Sequence, residues 1–266
     1  CIRDRNMRIE RRLVVITGAS SGLGKGLKES FEKKGDKVID ISRNGADYKC
    51  DVSDQNALKA VFDDIFLNHG FIDILITSAG YGLSGAIELT DEQEAKKQFD
   101  VNFFGTTNAV KYALPLMKRN SKIVIISSAA GIFPLTFIAY YCASKSAVNS
   151  FAQSLKMELN RTNIDVTSIC PGDIRTNFTE NRVKNYETNE RYGKAVEIST
   201  KPTEKSEKRR MKSEYAVNAM MKIIEKKKFK PQYIIGKQYH IFYAFKRLVT
   251  TKFLNSCITK IFYKTK

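Results

Sequence analysis

The feature that most limits the fold lies near the start of the chain, where a short β-rich apolar run meets a glycine-rich turn. Leu13–Ile16 passes directly into a segment in which Gly18, Gly22 and Gly24 follow the spacing Gly-x-x-x-Gly-x-Gly, and an amphipathic helical pattern comes next. Glycines let a backbone approach an anion closely, and the N–H groups at a helix N-terminus point at it. The segment predicts a phosphate-binding turn, although by itself it is equally compatible with an ordinary turn.

The rest of the chain alternates between strand-like and helical patterns. Strands are predicted at Leu13–Thr17, Lys37–Ser42, Asp73–Thr77, Lys122–Ser127, Ile164–Ile169 and Gln232–Ile235, and Asn56–Asn68 is an example of the helices between them. This alternation is typical of a parallel sheet, and the nearly continuous apolar strands indicate burial on both faces. We expect a single-domain α/β fold of the Rossmann type, a doubly wound parallel sheet with helices on both faces, which 266 residues can build.

A tyrosine and a lysine four positions apart suggest proton-transfer chemistry. Tyr141 precedes Lys145 at this spacing, and Ser128 ends an apolar run thirteen residues before Tyr141. Residues at i and i+4 share a helix face, so the phenol and the ammonium can reach one pocket. A nearby positive charge lowers the pKa of a phenol from its ordinary value of about 10. Tyr140 is a rival for the role of acid, but its i+4 position holds Ser144 and not a lysine. The alternative to a functional pair is that Tyr141 and Lys145 share a solvated helix face by chance.

Seven motifs in a fixed order extend this pattern over most of the chain. They are Thr17-Gly18-x-x-x-Gly22-x-Gly24, Asp51-Val52, Ser78-Ala79-Gly80, Val101-Asn102-x-x-Gly105, Ser127-Ser128, Tyr141-x-x-x-Lys145 and Pro171-Gly172. From about Arg12 to Ile235 the chain resembles the short-chain dehydrogenase/reductase family, single-domain NAD(P)-dependent oxidoreductases. We therefore expect an enzyme that interconverts a carbonyl and an alcohol.

The resemblance implies a role for each residue of the expected catalytic set. Tyr141 would exchange a proton with the substrate oxygen, and Ser128 would hydrogen-bond that oxygen. Lys145 would hold the nicotinamide ribose and depress the pKa of Tyr141. Asn102 would anchor a water chain that resupplies the proton, the alternative being a buried asparagine that begins a helix. Ser127 competes with Ser128, but the family's interval to the tyrosine matches Ser128.

The resemblance also implies which residues line the cofactor. The family usually has Asn-Asn-Ala-Gly after its fourth strand, where this chain has Thr77-Ser78-Ala79-Gly80, which we interpret as a local variation because Ser and Thr can make some of the same hydrogen bonds. The expected cofactor-binding residues are Gly18, Ser20, Ser21, Gly22, Leu23, Gly24, Ser42, Arg43, Asp51, Val52, Ser78, Ala79, Gly80, Tyr141, Lys145, Pro171, Gly172, Ile174 and Thr176.

The end of the second predicted strand favours NADP(H) over NAD(H). NAD-specific relatives carry an acidic residue there that binds the ribose 2′-hydroxyl. Here Ser42 takes that position and Arg43 follows it. A guanidinium suits a 2′-phosphate, which a carboxylate would repel. The competing interpretation makes Asp40, on the same strand face as Ser42 but two residues earlier, the ribose ligand.

The positive charge is concentrated at the C-terminal end. Residues 201–266 contain 18 Lys/Arg and 4 Asp/Glu, whereas residues 1–200 contain 27 and 24. From Lys237 to Lys266 there is no acidic residue, and lysines alternate with large apolar side chains. Such a basic amphipathic segment, better described by two short helices than by one, is typical of an anionic membrane surface. The alternative is packing over the substrate pocket or a subunit interface. A related tail occurs in hydroxysteroid dehydrogenase-like relatives, which points to a lipophilic substrate.

These patterns divide the chain into an N-terminal extension (1–11), a catalytic domain (12–236) containing a polar substrate lid (177–212), and the basic C-terminal segment (237–266). Five scattered cysteines and two histidines predict no metal site and a reducing interior, so we expect a cytoplasmic protein, with membrane association on the cytoplasmic face. A homodimer or homotetramer is expected by analogy, and nucleic-acid binding is not. The alternative function is a catalytically silent NADP(H)-binding protein that docks to a membrane or partner through its tail.

Overall fold

The computed structural model describes residues 11–175, 178, 182–200 and 210–263, and in these parts of the chain strands and helices alternate. The strands, in chain order, are β1 (Leu13–Thr17), β2 (Lys37–Ser42), β3 (Tyr48–Lys49), β4 (Ile72–Thr77), β5 (Leu83–Ser84), β6 (Met117–Ile126), β7 (Asp165–Pro171), β8 (Ile174–Arg175), β9 (Val183–Lys184), β10 (Met211–Lys212) and β11 (Gln232–Ile235). The six predicted strands are confirmed, with ends that move by up to five residues.

The α-helices are α1 (Gly22–Glu32), α2 (Gln55–His69), α3 (Glu92–Phe99), α4 (Gly105–Ala113), α5 (Ala139–Glu158), α6 (Ala195–Thr200), α7 (Ser213–Ile224), α8 (Lys237–Lys246) and α9 (Thr251–Phe262). Local sequence sets several of their starts. The Asp54 carboxylate accepts the N–H of Ala57 at 2.9 Å at the start of α2, and Asp91 accepts the N–H groups of Gln93 and Glu94 at the start of α3. These are N-caps, which satisfy backbone donors that the helix leaves unpaired.

Seven strands form one parallel sheet in the order β11-β7-β6-β4-β1-β2-β3. Neighbouring side chains on a strand face opposite sides, so Val15 of β1 joins one apolar cluster while Val14 and Ile16 join the other. Helices α2, α4 and α5 cover the first cluster, and α1 and α7 cover the second. The expected doubly wound Rossmann-type fold is confirmed.

The strand order decides where a site can form. From β1 the chain continues to β2 on one side, while β4 and β6 lie on the other. The loops after β1, β4, β6 and β7 therefore meet at the carboxyl edge of the sheet, next to the crevice where the winding direction reverses.

The C-terminal segment forms two short helices, α8 and α9, as its pattern predicted. Part of their surface lies on the domain: Tyr239, Tyr243 and Ile258 pack against a buried cluster that includes Phe133 and Cys170. Within the ranges that the structure describes, none of the helices has the length and apolar character needed to cross a bilayer.

Candidate active site

The turn between β1 and α1 is an open cradle at a helix N-terminus. Gly18 has a φ of +75°, and a Cβ atom there would lie 2.7 Å from the backbone of Ala79. Gly22 has a φ of +56°, and no described atom lies within 4 Å of where its Cβ would be. Ser21, which precedes α1, makes no side-chain cap. The N–H groups of the first turn therefore stay available, and the cradle fits a phosphate group.

The other residues of the cradle lie in the same turn and differ in burial. Ser20 is exposed and Leu23 half-buried, whereas Gly24 is buried and so close to Gly18 that a Cβ atom would fall 2.2 Å from the Gly18 carbonyl oxygen. Only glycine leaves room for this contact between the turn and the first turn of α1.

The loop after β4 closes onto the cradle through its backbone. The N–H of Ser78 donates to the carbonyl oxygen of Thr17 at 3.0 Å, so the bond that ties the two loops together does not need an asparagine side chain. Thr77 Oγ1 is buried and has no hydrogen-bond partner in the described part of the chain. A Cβ atom at Gly80 would lie 3.5 Å from Lys145 Nζ, which places this loop beside the expected catalytic lysine.

Asp51 and Val52 lie at the start of the loop that leads into α2. Asp51 Oδ1 accepts the N–H of Ser53 at 3.0 Å and its hydroxyl at 2.7 Å. Burial alone would raise the pKa of Asp51, but the two bonds from Ser53, together with the charge of Arg43, hold it below its ordinary value. Val52 packs directly against Gly105: a Cβ atom added to Gly105 would lie 2.6 Å from Val52 Cγ2. The loop is thus fixed with an ionised carboxylate at the expected adenosine end.

Asp40, Ser42 and Arg43 occupy different environments at the end of β2. Asp40 is 2% exposed, pairs with Ile16 inside the sheet, and has one carboxylate oxygen without a hydrogen-bond partner among the described residues. Ser42 is also buried, and its hydroxyl lacks a described partner. Arg43 is exposed directly after the strand. Among the three, the guanidinium is the charged group that an incoming ligand can reach.

Three of the expected catalytic side chains come from two elements, α5 and the loop after β6, and lie at the carboxyl edge of the sheet. Tyr141 and Lys145 are buried on α5, at 8% and 5% exposure, and Ser128 follows β6. Ser128 lies near enough to the Tyr141 hydroxyl to lower its pKa, and Lys145 Nζ donates to the carbonyl oxygen of Ile126 at 3.1 Å. The phenol, the serine and the ammonium thus line one site, whose burial limits access of water.

The charges in this site do not behave as the sequence suggested. Burial raises the pKa of Tyr141 to about 12, against smaller effects of the neighbouring Ser128 and of the Arg182 charge, which lower it. Burial also lowers the pKa of Lys145 to about 8. The expected depression of the Tyr141 pKa by Lys145 is not seen in the protein alone: burial has the largest effect, and Lys145 is not among the groups that lower this pKa.

Asn102 is fully buried, in a single π-helical turn between α3 and α4. Its side-chain amide donates to the carbonyl oxygen of Tyr81 at 3.0 Å and to Ser144 Oγ at 3.1 Å, while its Oδ1 accepts the N–H of Tyr81 at 3.0 Å. Ser144 Oγ in turn donates to the carbonyl oxygen of Tyr141 at 2.8 Å. The amide links the loop after β4 to the catalytic helix. Ser127, the rival of Ser128, donates instead to the carbonyl oxygen of Lys145 at 3.1 Å.

The loop after β7 holds the residues expected at the nicotinamide. Pro171 ends β7, and Ile174 begins β8, which pairs with β10. The ring of Tyr239 on α8 lies over Gly172, and its hydroxyl accepts the N–H of Asp173 at 2.9 Å. Thr176 lies outside the described residues, as do parts of the expected lid, whose described positions are 178, 182–200 and 210–212.

Several residues near Tyr141 or near the loop after β7 were not found by sequence reasoning. The Phe178 ring lies 5.6 Å from the Tyr141 ring, and Arg182 acts on the charge of Tyr141. Both belong to the lid, whose sequence carries no motif that marks them. Tyr239 belongs to the basic tail, where its aromatic ring could have been noticed but its position over Gly172 could not.

Comparison with known proteins identifies the family to which this fold belongs. Residues 12–187 match the family described as short chain dehydrogenase. A Helicobacter pylori protein named "Probable short-chain type dehydrogenase/reductase VdlC" is 41% identical over 188 residues, which are 66% of this chain and 69% of that protein. A Bacteroides thetaiotaomicron protein named 3-ketodihydrosphingosine reductase is 34% identical over 230 residues, covering 82% and 86%. A solved short-chain dehydrogenase from Streptomyces avermitilis superposes with a TM-score of 0.81 at 26% identity, covering 96% of this chain and 97% of that one.

The chain belongs to the short-chain dehydrogenase/reductase family. It is an oxidoreductase of a family that binds nicotinamide nucleotides and acts on small molecules.

Proposed function

We propose that the protein is an NADP(H)-dependent oxidoreductase that interconverts a carbonyl and an alcohol on a small lipophilic substrate. The observation that carries the proposal is the convergence of Tyr141, Ser128 and Lys145 in one buried site beside an open phosphate cradle. A silent binding protein would need the cradle but not the buried acid–base set.

The residues divide the reaction between them. The nicotinamide, when bound, supplies or accepts the hydride. Tyr141 has a pKa of about 12 in the protein alone, so its phenol is protonated at neutral pH and can donate that proton to a carbonyl oxygen. Ser128 hydrogen-bonds the same oxygen and stabilises its developing charge. Lys145 Nζ, which lies near Gly80, holds the nicotinamide ribose, and Asn102 fixes the loop and the helix on which these groups sit.

Two features support NADP(H) as the cofactor. Asp40 is buried within β2 beside Ile16, two residues before the end of the strand, which disfavours it as the ribose ligand. Arg43 is exposed next to that end and can pair with a 2′-phosphate. The cradle would hold the pyrophosphate through Ser20, Ser21, Gly22, Leu23 and Gly24, and Asp51, Val52, Ser78 and Ala79 would face the adenosine.

Calorimetric titration with NADPH and, separately, NADH tests this assignment. We expect tighter binding of NADPH by the wild-type chain. Ser42→Asp, which places a carboxylate at the strand end, should shift the ratio of the two dissociation constants towards NADH by tenfold or more, about 1.4 kcal/mol. Asp40→Asn is the control and should leave the ratio unchanged. If the wild-type protein prefers NADH and Asp40→Asn removes that preference, Asp40 is the residue that binds the ribose.

A lipophilic substrate is supported by the surroundings of Tyr141 and by one relative. Leu135, Ile138 and Phe178 pack around Tyr141, and the Bacteroides relative is named for a keto group on a long-chain lipid. A screen of lipophilic ketones and aldehydes with NADPH should find turnover. If none occurs while NADPH binds, the silent binding protein becomes the better description.

The exposed side of the C-terminal helices supports membrane association. Ile241, Phe245 and Leu248 form one stripe on α8 and the turn after it, and Phe253 and Ile261 form another on α9. The Phe245 and Phe253 rings lie 6.2 Å apart, which joins the stripes into one apolar surface. No acidic residue occurs from Lys237 to Lys266. Charge complementarity and burial of apolar side chains both favour an anionic leaflet, which would be the cytoplasmic one.

We also propose, by analogy with relatives, that the protein forms dimers or tetramers through the helices near Asn102 and Tyr141.

A further inference from the structure

One cation in the active-site cleft has no role in the scheme above. Arg182 lies in the lid, immediately before β9, which pairs with β5. The N–H of Val183 donates to the carbonyl oxygen of Gly82 at 2.9 Å, and the N–H of Asn185 donates to that of Ser84 at 2.8 Å. Backbone bonds thus fix this part of the lid to the loop that follows the cofactor motif Ser78-Ala79-Gly80.

The Arg182 side chain lies on the Tyr141 side of this junction. A Cβ atom at Gly82 would lie 3.2 Å from Arg182 Nε and 3.3 Å from the Phe178 ring, and that ring lies 5.6 Å from the ring of Tyr141. Arg182 and Tyr141 also influence each other's charge. The guanidinium is therefore near the group that would donate the proton.

Arg182 is partly buried, and among the residues that the structure describes it makes no hydrogen bond or ion pair. Two other arginines of the lid have acidic partners: Arg191 pairs with Glu88 at 2.9 Å, and Arg210 pairs with Asp173 at 3.1 Å. Burial lowers the pKa of Arg182, opposed by the charges of Tyr141 and Asp173. A guanidinium has five N–H donors, and removing it from water without an acceptor is costly.

We propose that Arg182 binds a carboxylate of the substrate, so that the natural substrate is a lipophilic keto acid or hydroxy acid. This inference rests on the proposed function and narrows its substrate class. A guanidinium pairs with a carboxylate through two parallel hydrogen bonds, which would orient the substrate as well as attract it. Phe178, next to both Arg182 and Tyr141, would contact the apolar part between the acid and the carbonyl.

The test compares two probes that differ in one charge. 4-Oxododecanoate and its methyl ester are assayed with NADPH on the wild-type protein, on Arg182→Gln and on Arg191→Gln, an arginine of the same lid that already has an acidic partner. We expect the wild-type kcat/KM to favour the acid tenfold or more, Arg182→Gln to abolish that preference, and Arg191→Gln to keep it. Arg182→Lys retains the positive charge but not the two parallel hydrogen bonds of a guanidinium, so it should keep part of the preference for the acid.

A second readout separates this inference from the proposed function. Calorimetric binding of 4-oxododecanoate to protein saturated with NADP⁺ requires no turnover, and it should weaken tenfold or more in Arg182→Gln. Binding that depends on Arg182 without reduction of any ketone would support the subsite and overturn the enzyme proposal. Reduction of the acid and the ester at equal rates would support the enzyme proposal and overturn the carboxylate subsite.

Three further results would overturn the subsite. If Arg182→Gln weakens NADPH binding tenfold, the guanidinium serves a cofactor phosphate. If it lowers kcat equally for acid and ester and moves the pH profile, Arg182 acts through Tyr141. Efficient reduction of 3-ketodihydrosphingosine, a long-chain ketone with an ammonium group, in preference to the keto acid would also contradict a carboxylate partner.

Discussion

The ring of Tyr239 lies directly over Gly172, so that a Cβ atom added to Gly172 would fall 1.8 Å from Tyr239 Cε2. This contact joins the first turn of α8 to the loop expected at the nicotinamide, and the Tyr239 hydroxyl accepts the N–H of Asp173 at 2.9 Å. The C-terminal segment is therefore packed on the active site at one end, while its other face is exposed.

Gly172→Ala should displace Tyr239 and destabilise the protein by about 1–3 kcal/mol, because a methyl group has no space beneath the ring. The free energy of unfolding from urea denaturation measures this effect. In a Tyr239→Ala background the same change should cost less, since the ring is gone. Equal costs in both backgrounds would show that the contact does not limit the side chain at position 172.

Tyr141→Phe should lower kcat by about 10²–10⁴-fold, because the phenol that exchanges the proton is lost. Binding of NADPH, measured by calorimetry, should stay within a few-fold of the wild-type value. Tyr140→Phe is the matched control on the adjacent residue and should keep nearly full activity. A Tyr141→Phe protein that turns over at the wild-type rate would refute the proposed mechanism.

Lys145→Met should stabilise the ligand-free protein at pH 7 while abolishing activity. The pKa of Lys145 is lowered from 10.5 to about 8 by burial, so below pH 8 the folded state carries the full cost of a buried cation. Between pH 8 and 10.5 the unfolded chain binds more protons at this site, so the contribution of Lys145 to wild-type stability should rise with pH, by up to about 3 kcal/mol over the whole window.

Urea denaturation at several pH values from 7 to 9 tests this prediction. The Lys145→Met protein should lack the rise, whereas Lys222→Met, on the surface of α7, should keep it. The range stops at pH 9 because burial raises the pKa of the Cys170 thiol from 9.0 to about 11, which makes stability fall above pH 9. A Lys145→Met protein that is less stable than the wild type at pH 7 would contradict the argument.

Leu248→Asn should weaken co-sedimentation with anionic liposomes, because Leu248 is 84% exposed on the basic apolar surface of the C-terminal helices. Leu67→Asn removes a leucine that is 82% exposed on α2, away from that surface, and should have no effect. Binding should also fall with added salt, since the attraction to acidic lipids is screened. Unchanged sedimentation of Leu248→Asn, or no binding at all, would favour an interface between copies of the chain.

Much of the fold could be predicted from the sequence because its signals are local. A buried parallel strand is a continuous apolar run, and a glycine turn before a helix has a fixed spacing, so the positions of β1, β2 and β4 and the identity of Gly18, Gly22 and Gly24 could be deduced before any contact was known. The family motifs likewise identified Ser128, Tyr141 and Lys145, since their order along the chain is independent of the structure around them.

Tertiary structure decided the properties that depend on distant neighbours. Burial, which sequence spacing does not report, raises the pKa of Tyr141 although Lys145 lies one turn away. The hydrogen bonds of Asn102 to Tyr81 and Ser144, the ring of Tyr239 over Gly172 and the position of Arg182 beside Gly82 each join segments that are far apart in the chain. Residue types and local periods determine the strands, helices and motifs, whereas solvation and long-range contacts determine the charges and the shape of the site.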